Sequence, residues 1–221
     1  MSNMNKMILA AEAPYLNLLA TQYGHRIGEA FLVSCNAATA LHRINDAGLW
    51  LGPRGILEKD DAFRQIIPYV VFRWRGELLS YVRSPAGGES RLHAKSSIGF
   101  GGHVDAEDCV FIDSSINLDQ TLGEAINREV REELGPDLQV IKKQCIGLLV
   151  DNKDAVGRVH LGLVALWDLA PVHSIQSNED EISDVGFQSL EGLRVADDEH
   201  GNLENWSSVL VRYFQVMGLP E

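Results

Sequence analysis

The segment REVREELG, at residues 128–135, constrains the fold of this chain more than any other stretch, because it reads as the end of an amphipathic helix. Apolar residues recur there at the spacing of one helix face, namely Ile126, Val130 and Leu134. A helix with one apolar face must bury it, and we expect a β-sheet as the second layer. We predict this helix at about 121–134, with Thr121 and Glu124 as a capping box at its start and Gly135 as its stop.

Three carboxylates crowd into the last turn of this predicted helix, those of Glu129, Glu132 and Glu133. Like charges three and four residues apart repel by roughly 0.2–0.5 kcal/mol per pair, and the negative end of the helix dipole adds to the penalty. A hard divalent cation such as Mg²⁺ or Mn²⁺ would convert this repulsion into coordination. An ion pair between Arg128 and Glu132 on a solvated helix face is the alternative explanation of the pattern.

Strand-like segments surround the helix, at 66–74, 77–84, 138–150, 157–169 and 181–190. The first two form a predicted hairpin across Arg75 and Gly76, and an amphipathic helix at 202–218 follows the last. Strands and helices interleave without a regular repeat, which predicts an α+β fold, an α/β/α sandwich around a mixed β-sheet. Residues 1–62 read as helical and loop-like and carry no chemical motif. We assign them as an N-terminal extension to a domain of residues 63–221.

Composition limits the classes of partner. A formal net charge of −12 at pH 7 argues against binding to nucleic acids or anionic membranes through bulk electrostatics. No apolar run reaches the length of a membrane span. The three cysteines are widely spaced and predict neither a disulfide framework nor a zinc site. We therefore expect a cytoplasmic protein.

A glycine-rich stretch, SSIGFGGHV at 96–104, precedes the helix, and together they resemble the Nudix hydrolase family. The family's box reads G-x5-E-x7-R-E-U-x-E-E-x-G-U, where U is apolar, and its second half matches Arg128 to Gly135. The first half departs from the box, because counting back eight residues from Arg128 gives Gln120 in place of glutamate. Gly102 lies 18 positions before Gln120 where the family has six, which implies an insertion of 12 residues, roughly AEDCVFIDSSIN.

The resemblance implies a fold, a reaction and a cofactor. Nudix enzymes hydrolyse a nucleoside diphosphate linked to another group, with Mg²⁺ or Mn²⁺ bound to the box helix. Carried over to this chain, the predicted metal ligands are Glu129, Glu132 and Glu133, with a backbone carbonyl at Gly101 or Gly102. Arg128 would orient Glu129, and Glu132 and Glu133 would act in catalysis. The expected substrate is a small-molecule diphosphate, and dimerisation in the family suggests a homodimer.

A general base outside the box is predicted in the loop NEDEISDVGF, at Glu181 or Glu179. His103, beside the glycine pair, is a candidate for contact with phosphate or a metal-bound water. Two other functions stay open on the sequence. One is a binding module that senses a nucleotide without cleaving it. The other is chemistry like that of isopentenyl-diphosphate isomerases, which would require a catalytic cysteine such as Cys35.

Overall fold

The computed structural model describes residues 3–84, 95–136, 138–171, 175, 177–178 and 182–221. Its strands are β1 (Met7–Glu12), β2 (His25–Ile27), β3 (Ala30–Ser34), β4 (Leu49–Pro53), β5 (Phe63–Trp74), β6 (Glu77–Arg83), β7 (Ser96–Ser97), β8 (Gly99–Phe100), β9 (Phe111–Ile112), β10 (Ser115–Ile116), β11 (Val140–Asp151), β12 (His160–Leu169) and β13 (Ile182–Gln188). Its helices are α1 (Ala13–Tyr23), α2 (Ala37–Ala47), α3 (Arg54–Leu57), α4 (Leu118–Leu134), α5 (Ala155–Arg158), α6 (Leu190–His200) and α7 (Asn205–Met217).

The main sheet runs in the order β13-β6-β5-β12-β11-β3-β2, and β1 pairs with β5 and β4. A mixed sheet with helices confirms the predicted α/β/α sandwich. None of the helices in the described ranges is long and apolar enough to cross a membrane.

The chain divides into two compact units, each discontinuous in sequence. The first unit comprises Met1–Tyr69, Gly101–Arg128 and Gln144–Ala165. The second unit comprises Val70–Phe100, Glu129–Lys143 and Leu166–Glu221. The predicted boundary after residue 62 stays a prediction.

The core of the first unit forms where α1, α2 and the start of α4 pack on strands. α4 contributes Leu118, Leu122 and Ala125, which repeat at the spacing of one helix face. Burying a leucine side chain stabilises the fold by about 1.5–3 kcal/mol, so this face fixes the start of α4 firmly. Further along the same helix, Val130 and Leu134 are also buried, as predicted.

The start of α4 differs from the prediction. The helix begins at Leu118, and the Asn117 side chain accepts a hydrogen bond from the backbone N–H of Gln120 at 3.1 Å, which caps it. The hydroxyl of Thr121, the predicted cap, instead accepts a hydrogen bond from the Val110 N–H at 2.9 Å. The prediction of a capping box is therefore wrong. Thr121 lies inside the helix, and its hydroxyl binds the backbone of the preceding loop.

The N-terminal residues are only partly helical, which corrects the prediction for residues 1–62. α1 and α2 are present, but β1, β3 and β4 are strands. Four consecutive residues of β1 are buried, so the strand lacks the alternation of apolar and polar residues that would have marked it.

The predicted hairpin of β5 and β6 is present, and its turn, the end of β5 from Val70 and all of β6 belong to the second unit. Arg75 (φ 52°) and Gly76 (φ 82°) both have positive φ at its turn, as a two-residue type I′ turn requires. Phe100 anchors an aromatic cluster, with ring centroids 5.4 Å from Phe72 and 4.8 Å from Tyr81. Helix α7 confirms the helix predicted at 202–218, whereas no helix was predicted over α6.

Candidate functional site

The three box glutamates lie where the sequence placed them, near the C-terminal end of α4 in the second unit. Glu133 is buried, with 6% of its surface exposed, whereas Glu129 is half-buried and Glu132 is exposed. Side chains at positions i, i+3 and i+4 project to neighbouring positions on a helix. The donor set is therefore three carboxylates, the hard oxygen ligands that Mg²⁺ and Mn²⁺ prefer, and it fits the predicted metal.

The end of α4 is tied down around Glu133. Its backbone carbonyl accepts hydrogen bonds from the Ser177 hydroxyl at 3.2 Å and the Asn178 N–H at 3.0 Å. These contacts satisfy a carbonyl that the helix itself leaves unpaired. Gly135 follows with φ 83°, and a Cβ there would lie 3.0 Å from the Asn178 side chain, so this position suits glycine.

A cation faces Glu133 within the second unit. Burial lowers the pKa of Arg83, but its interactions with Tyr81, Glu204 and Glu133 outweigh burial and raise that pKa above its ordinary value. Arg83 also donates to the Glu204 carboxylate at 2.7 Å. Arg83 therefore stays protonated and adds positive potential near one box carboxylate.

Arg128, in the first unit, pairs with Asp108. The guanidinium donates to both carboxylate oxygens, with Nε–Oδ1 at 2.9 Å and Nη2–Oδ2 at 2.7 Å. It also donates to the backbone carbonyl of His103 at 3.0 Å. Asp108 has only 6% of its side chain exposed, so this bidentate pair is largely removed from water.

The pair favours another position for the first acid of the box. Counting six residues forward from Gly102 reaches Asp108, the place of the first glutamate in the family's spacing. With Asp108 in that place, the inserted residues would be 109–120 in place of AEDCVFIDSSIN. Much of the insertion folds into the β9–β10 hairpin, which exposes Phe111 and Ile112.

The turn between the glycines and this insertion is fixed by its own hydrogen bonds. The Asp105 N–H donates to the Asp108 carboxylate at 2.9 Å in a capping box around Ala106–Asp108. Lys6 donates to the Asp105 carboxylate at 2.7 Å. The hydrogen bond within this turn therefore holds the Asp108 carboxylate in position, independently of its pair with Arg128.

Gly101 occupies a position that only glycine can take. Its φ is 153°, and a Cβ there would lie 1.9 Å from the Pro68 carbonyl oxygen. The glycine-rich signal therefore has a steric cause within the first unit. A backbone ligand role for Gly101 or Gly102 stays a prediction.

A second group of metal-ligand residues lies in the first unit and was not predicted. One side-chain ligand atom from each of Glu58, His103 and His160 lies within 4.8 Å of the others. The two Nε2 atoms of the histidines are 3.3 Å apart. Burial, followed by the positive charges of residues that include Arg54 and Arg128, lowers the pKa of His103 well below its ordinary value, so the ring is neutral at pH 7. The three residues of this group are widely separated in sequence, and of the three only His103 lies in a motif that the sequence analysis identified.

Three further residues carried predictions. Glu181 and Glu179, the candidates for general base, lie outside the described residues. Cys35 is half-buried, and burial raises its pKa, which disfavours the thiolate that a catalytic cysteine needs.

Comparison with known proteins gives one relative and a set of solved structures. Protein YmaB of Bacillus subtilis (strain 168) is 37% identical over 161 residues, which cover 72% of this chain and 74% of that protein. The crystal structure of Tm1382, described as a candidate Nudix hydrolase, superposes with a TM-score of 0.72 at 22% identity, and the match covers 96% of this chain and 100% of that one. No family model matches the sequence.

Proposed function

The chain belongs to the family of Protein YmaB and has the Nudix fold, and from this premise we propose that it is a metal-dependent pyrophosphohydrolase. Its substrate would be a nucleoside diphosphate linked to another group, or a related small-molecule diphosphate. The metal would be Mg²⁺ or Mn²⁺, held by Glu129, Glu132 and Glu133. A cytoplasmic location and a homodimer stay predictions.

The observation that carries this proposal is the arrangement of the three box glutamates at the end of α4 in a Nudix fold. Three carboxylates crowd together at the negative end of a helix dipole, and the single positive charge of Arg83 near Glu133 does not neutralise all three. A divalent ion bound there would neutralise the diphosphate and lower the pKa of an attacking water.

The chain's own residues then have defined tasks. Ser177 and Asn178 hold the backbone carbonyl of Glu133, so the end of the helix that carries its carboxylate is fixed. Glu132, which is exposed, is accessible to a substrate. Arg128 is fixed by Asp108 and positions the chain leading into the glutamates. A base role for Glu181 stays a prediction.

The two alternatives lose support from particular residues. The binding-module hypothesis depends on the departure of the first half of the box from the family's pattern, and the pair of Asp108 with Arg128 supports an acid in that half. The isomerase reading required a reactive cysteine, and burial works against ionisation of Cys35.

The test is an activity screen with purified protein and Mg²⁺ or Mn²⁺. The substrates are nucleoside diphosphate sugars, ADP-ribose, NADH, dinucleoside polyphosphates, nucleoside triphosphates and isopentenyl diphosphate, with products separated by chromatography. We expect metal-dependent hydrolysis of at least one diphosphate and its loss in a variant carrying Glu132→Gln and Glu133→Gln.

The matched control is Glu124→Gln, an exposed carboxylate on the same helix, which should retain full activity. Circular dichroism of each variant checks that the fold is intact. Full activity of the folded double variant, or failure of the wild type to hydrolyse any of these diphosphates with either metal, would refute the proposal.

A further inference from the structure

We propose that Glu58, His103 and His160 bind one transition-metal ion of the Zn²⁺ class, at a site that does not use the box glutamates. Two imidazole nitrogens and one carboxylate oxygen form the ligand set of many zinc sites with an open coordination position. Such a set prefers borderline ions such as Zn²⁺ over Mg²⁺, which favours oxygen ligands alone. The proposed ion therefore differs in kind from the one proposed for the box.

The distance between the histidines suits a shared ion. Two nitrogens that bind Zn²⁺ at about 2.0–2.1 Å with a tetrahedral angle stand about 3.3–3.4 Å apart. The Nε2 atoms of His103 and His160 are 3.3 Å apart, with ring centroids at 5.4 Å. The carboxylate of Glu58 lies within 4.8 Å and would have to turn towards the imidazoles, away from its ion pair with Arg54. Glu58 has 22% of its side chain exposed, which leaves room for that rotation.

His160 is already oriented as a metal ligand. Its Nδ1 lies 2.8 Å from the carbonyl oxygen of Val156, which can only accept, so Nδ1 carries the proton. The lone pair of Nε2 therefore faces His103. Metal-binding histidines commonly use such a hydrogen bond from the second nitrogen to fix the tautomer and the ring orientation.

Buried Arg64 holds the backbone around His160. It donates to the carbonyl oxygens of His160 at 3.0 Å and of Gly157 at 2.8 Å. Burial lowers the pKa of Arg64 to about 10, which still leaves it charged at neutral pH. The strand that presents His160 is thus rigid at this point, as a preorganised ligand requires.

Gln65 supplies an independent observation beside the cluster. Its side chain is fully buried, and its amide oxygen lies 2.9 Å from His103 Nε2. Its amide nitrogen has no hydrogen-bond partner among the residues that the structure describes. A buried donor without a partner is unfavourable by about 1–3 kcal/mol. With an ion on His103 the amide could turn, and its nitrogen would donate to a water in the fourth coordination position.

The competing explanation is a metal-free pair in which His103 Nε2–H donates to His160 Nε2. That arrangement accounts for the contact between the two rings. In it Glu58 is paired with Arg54, but the amide nitrogen of Gln65 still has no hydrogen-bond partner among the described residues.

Zinc binding tests the proposal directly, with tag-free protein, because a histidine tag would bind Zn²⁺ itself. The chain is stripped with chelator and titrated with Zn²⁺, with metal content measured after desalting and Co²⁺ used as a visible-absorption probe. We expect about one Zn²⁺ per chain and a Co²⁺ spectrum typical of four- or five-coordinate nitrogen and oxygen ligation. His103→Gln and His160→Gln should each weaken Zn²⁺ binding by more than about 100-fold, beyond the effect of losing an outer-shell partner.

The controls separate this site from the box and from unfolding. His42→Asn changes a histidine with 76% of its side chain exposed and should retain the Zn²⁺ affinity, as should the variant of Glu132 and Glu133. Glu58→Gln, at a partly exposed position, should fold normally and bind Zn²⁺ at least tenfold more weakly. Unchanged Zn²⁺ affinity in the folded Glu58 variant and in both histidine variants, or no Zn²⁺ retained by the wild type, would overturn the proposal.

Discussion

Replacing Asp108 by alanine tests whether its pair with Arg128 is a structural element of the site. The change removes two charge-assisted hydrogen bonds from the guanidinium, at 2.9 and 2.7 Å, and one from the Asp105 N–H. Breaking a fully buried ion pair destabilises a protein by about 3–5 kcal/mol. The Arg128 side chain is 28% exposed and can regain some water, so we expect a loss of about 2–4 kcal/mol.

Thermal and urea unfolding measure this loss. For a chain of this size, 1 kcal/mol corresponds to about 2–4 °C in Tm, so Asp108→Ala should lower the Tm by roughly 5–15 °C. Asp108→Asn keeps the shape and some hydrogen bonds but removes the charge, and should fall between the wild type and alanine. The matched control is the exposed pair of Glu191 and Arg194, whose removal should leave the Tm unchanged within error.

A double-mutant cycle isolates the pair from other effects of each substitution. Asp108→Ala, Arg128→Met and the double variant should give a coupling free energy of about 1–3 kcal/mol, typical of residues that share a hydrogen-bonded ion pair. Additivity within about 0.5 kcal/mol would show that the two side chains do not depend on each other. In that case the assignment of Asp108 as the first acid of the box would fail.

Two further predictions concern the glycine-rich stretch and the half-buried thiol of Cys145. Gly101→Ala should prevent stable folding or lower the Tm sharply, because its Cβ would lie 1.9 Å from the Pro68 carbonyl oxygen; a Tm within 2 °C or so of wild type would contradict this steric account. Burial, with a smaller effect of Cys35, raises the pKa of Cys145 from 9.0 to about 12, so the folded chain keeps a proton that the unfolded chain loses above pH 9. The free energy of unfolding should therefore fall as pH rises from 9 to 12, by up to about 1.4 kcal/mol per pH unit from this group, and urea unfolding of Cys145→Ala should lack this part of the slope; identical slopes would contradict it.

The sequence predicted correctly those turns and helix ends whose conformation depends on the residues at that position. The turn at Arg75 and Gly76 fixes the hairpin of β5 and β6, because both residues adopt positive φ. Gly135 ends α4 for the same reason. Both elements could be predicted from short windows because the backbone conformation at the turn and at the helix end depends on the residues there.

Elements whose cause lies elsewhere in the fold were missed. β1 is buried on both faces, so its sequence, MILAAE, carries no alternation that would mark a strand. Thr121 is a good helix cap by residue type, but its hydroxyl accepts a hydrogen bond from the Val110 N–H, and the Asn117 side chain caps the helix. The histidine cluster is the extreme case, since β12 and the loop after α3 bring its members together across 57 and 45 positions of sequence.

The insertion shows why a motif with a gap needs a physical criterion for its alignment. Counting back from Arg128 keeps the family's spacing and gives Gln120, an amide that lacks the charge to neutralise a guanidinium. Counting forward from Gly102 also keeps the spacing and gives Asp108, with all of the gap placed after it. The two alignments are equal as arithmetic and differ in energy, because Arg128 is only 28% exposed and gains more from an anionic partner than from a neutral one. The partly buried guanidinium of Arg128 therefore favours one alignment of the box over the other. When a box contains an insertion, an acid should be sought at the family's spacing from the glycine as well as from the arginine.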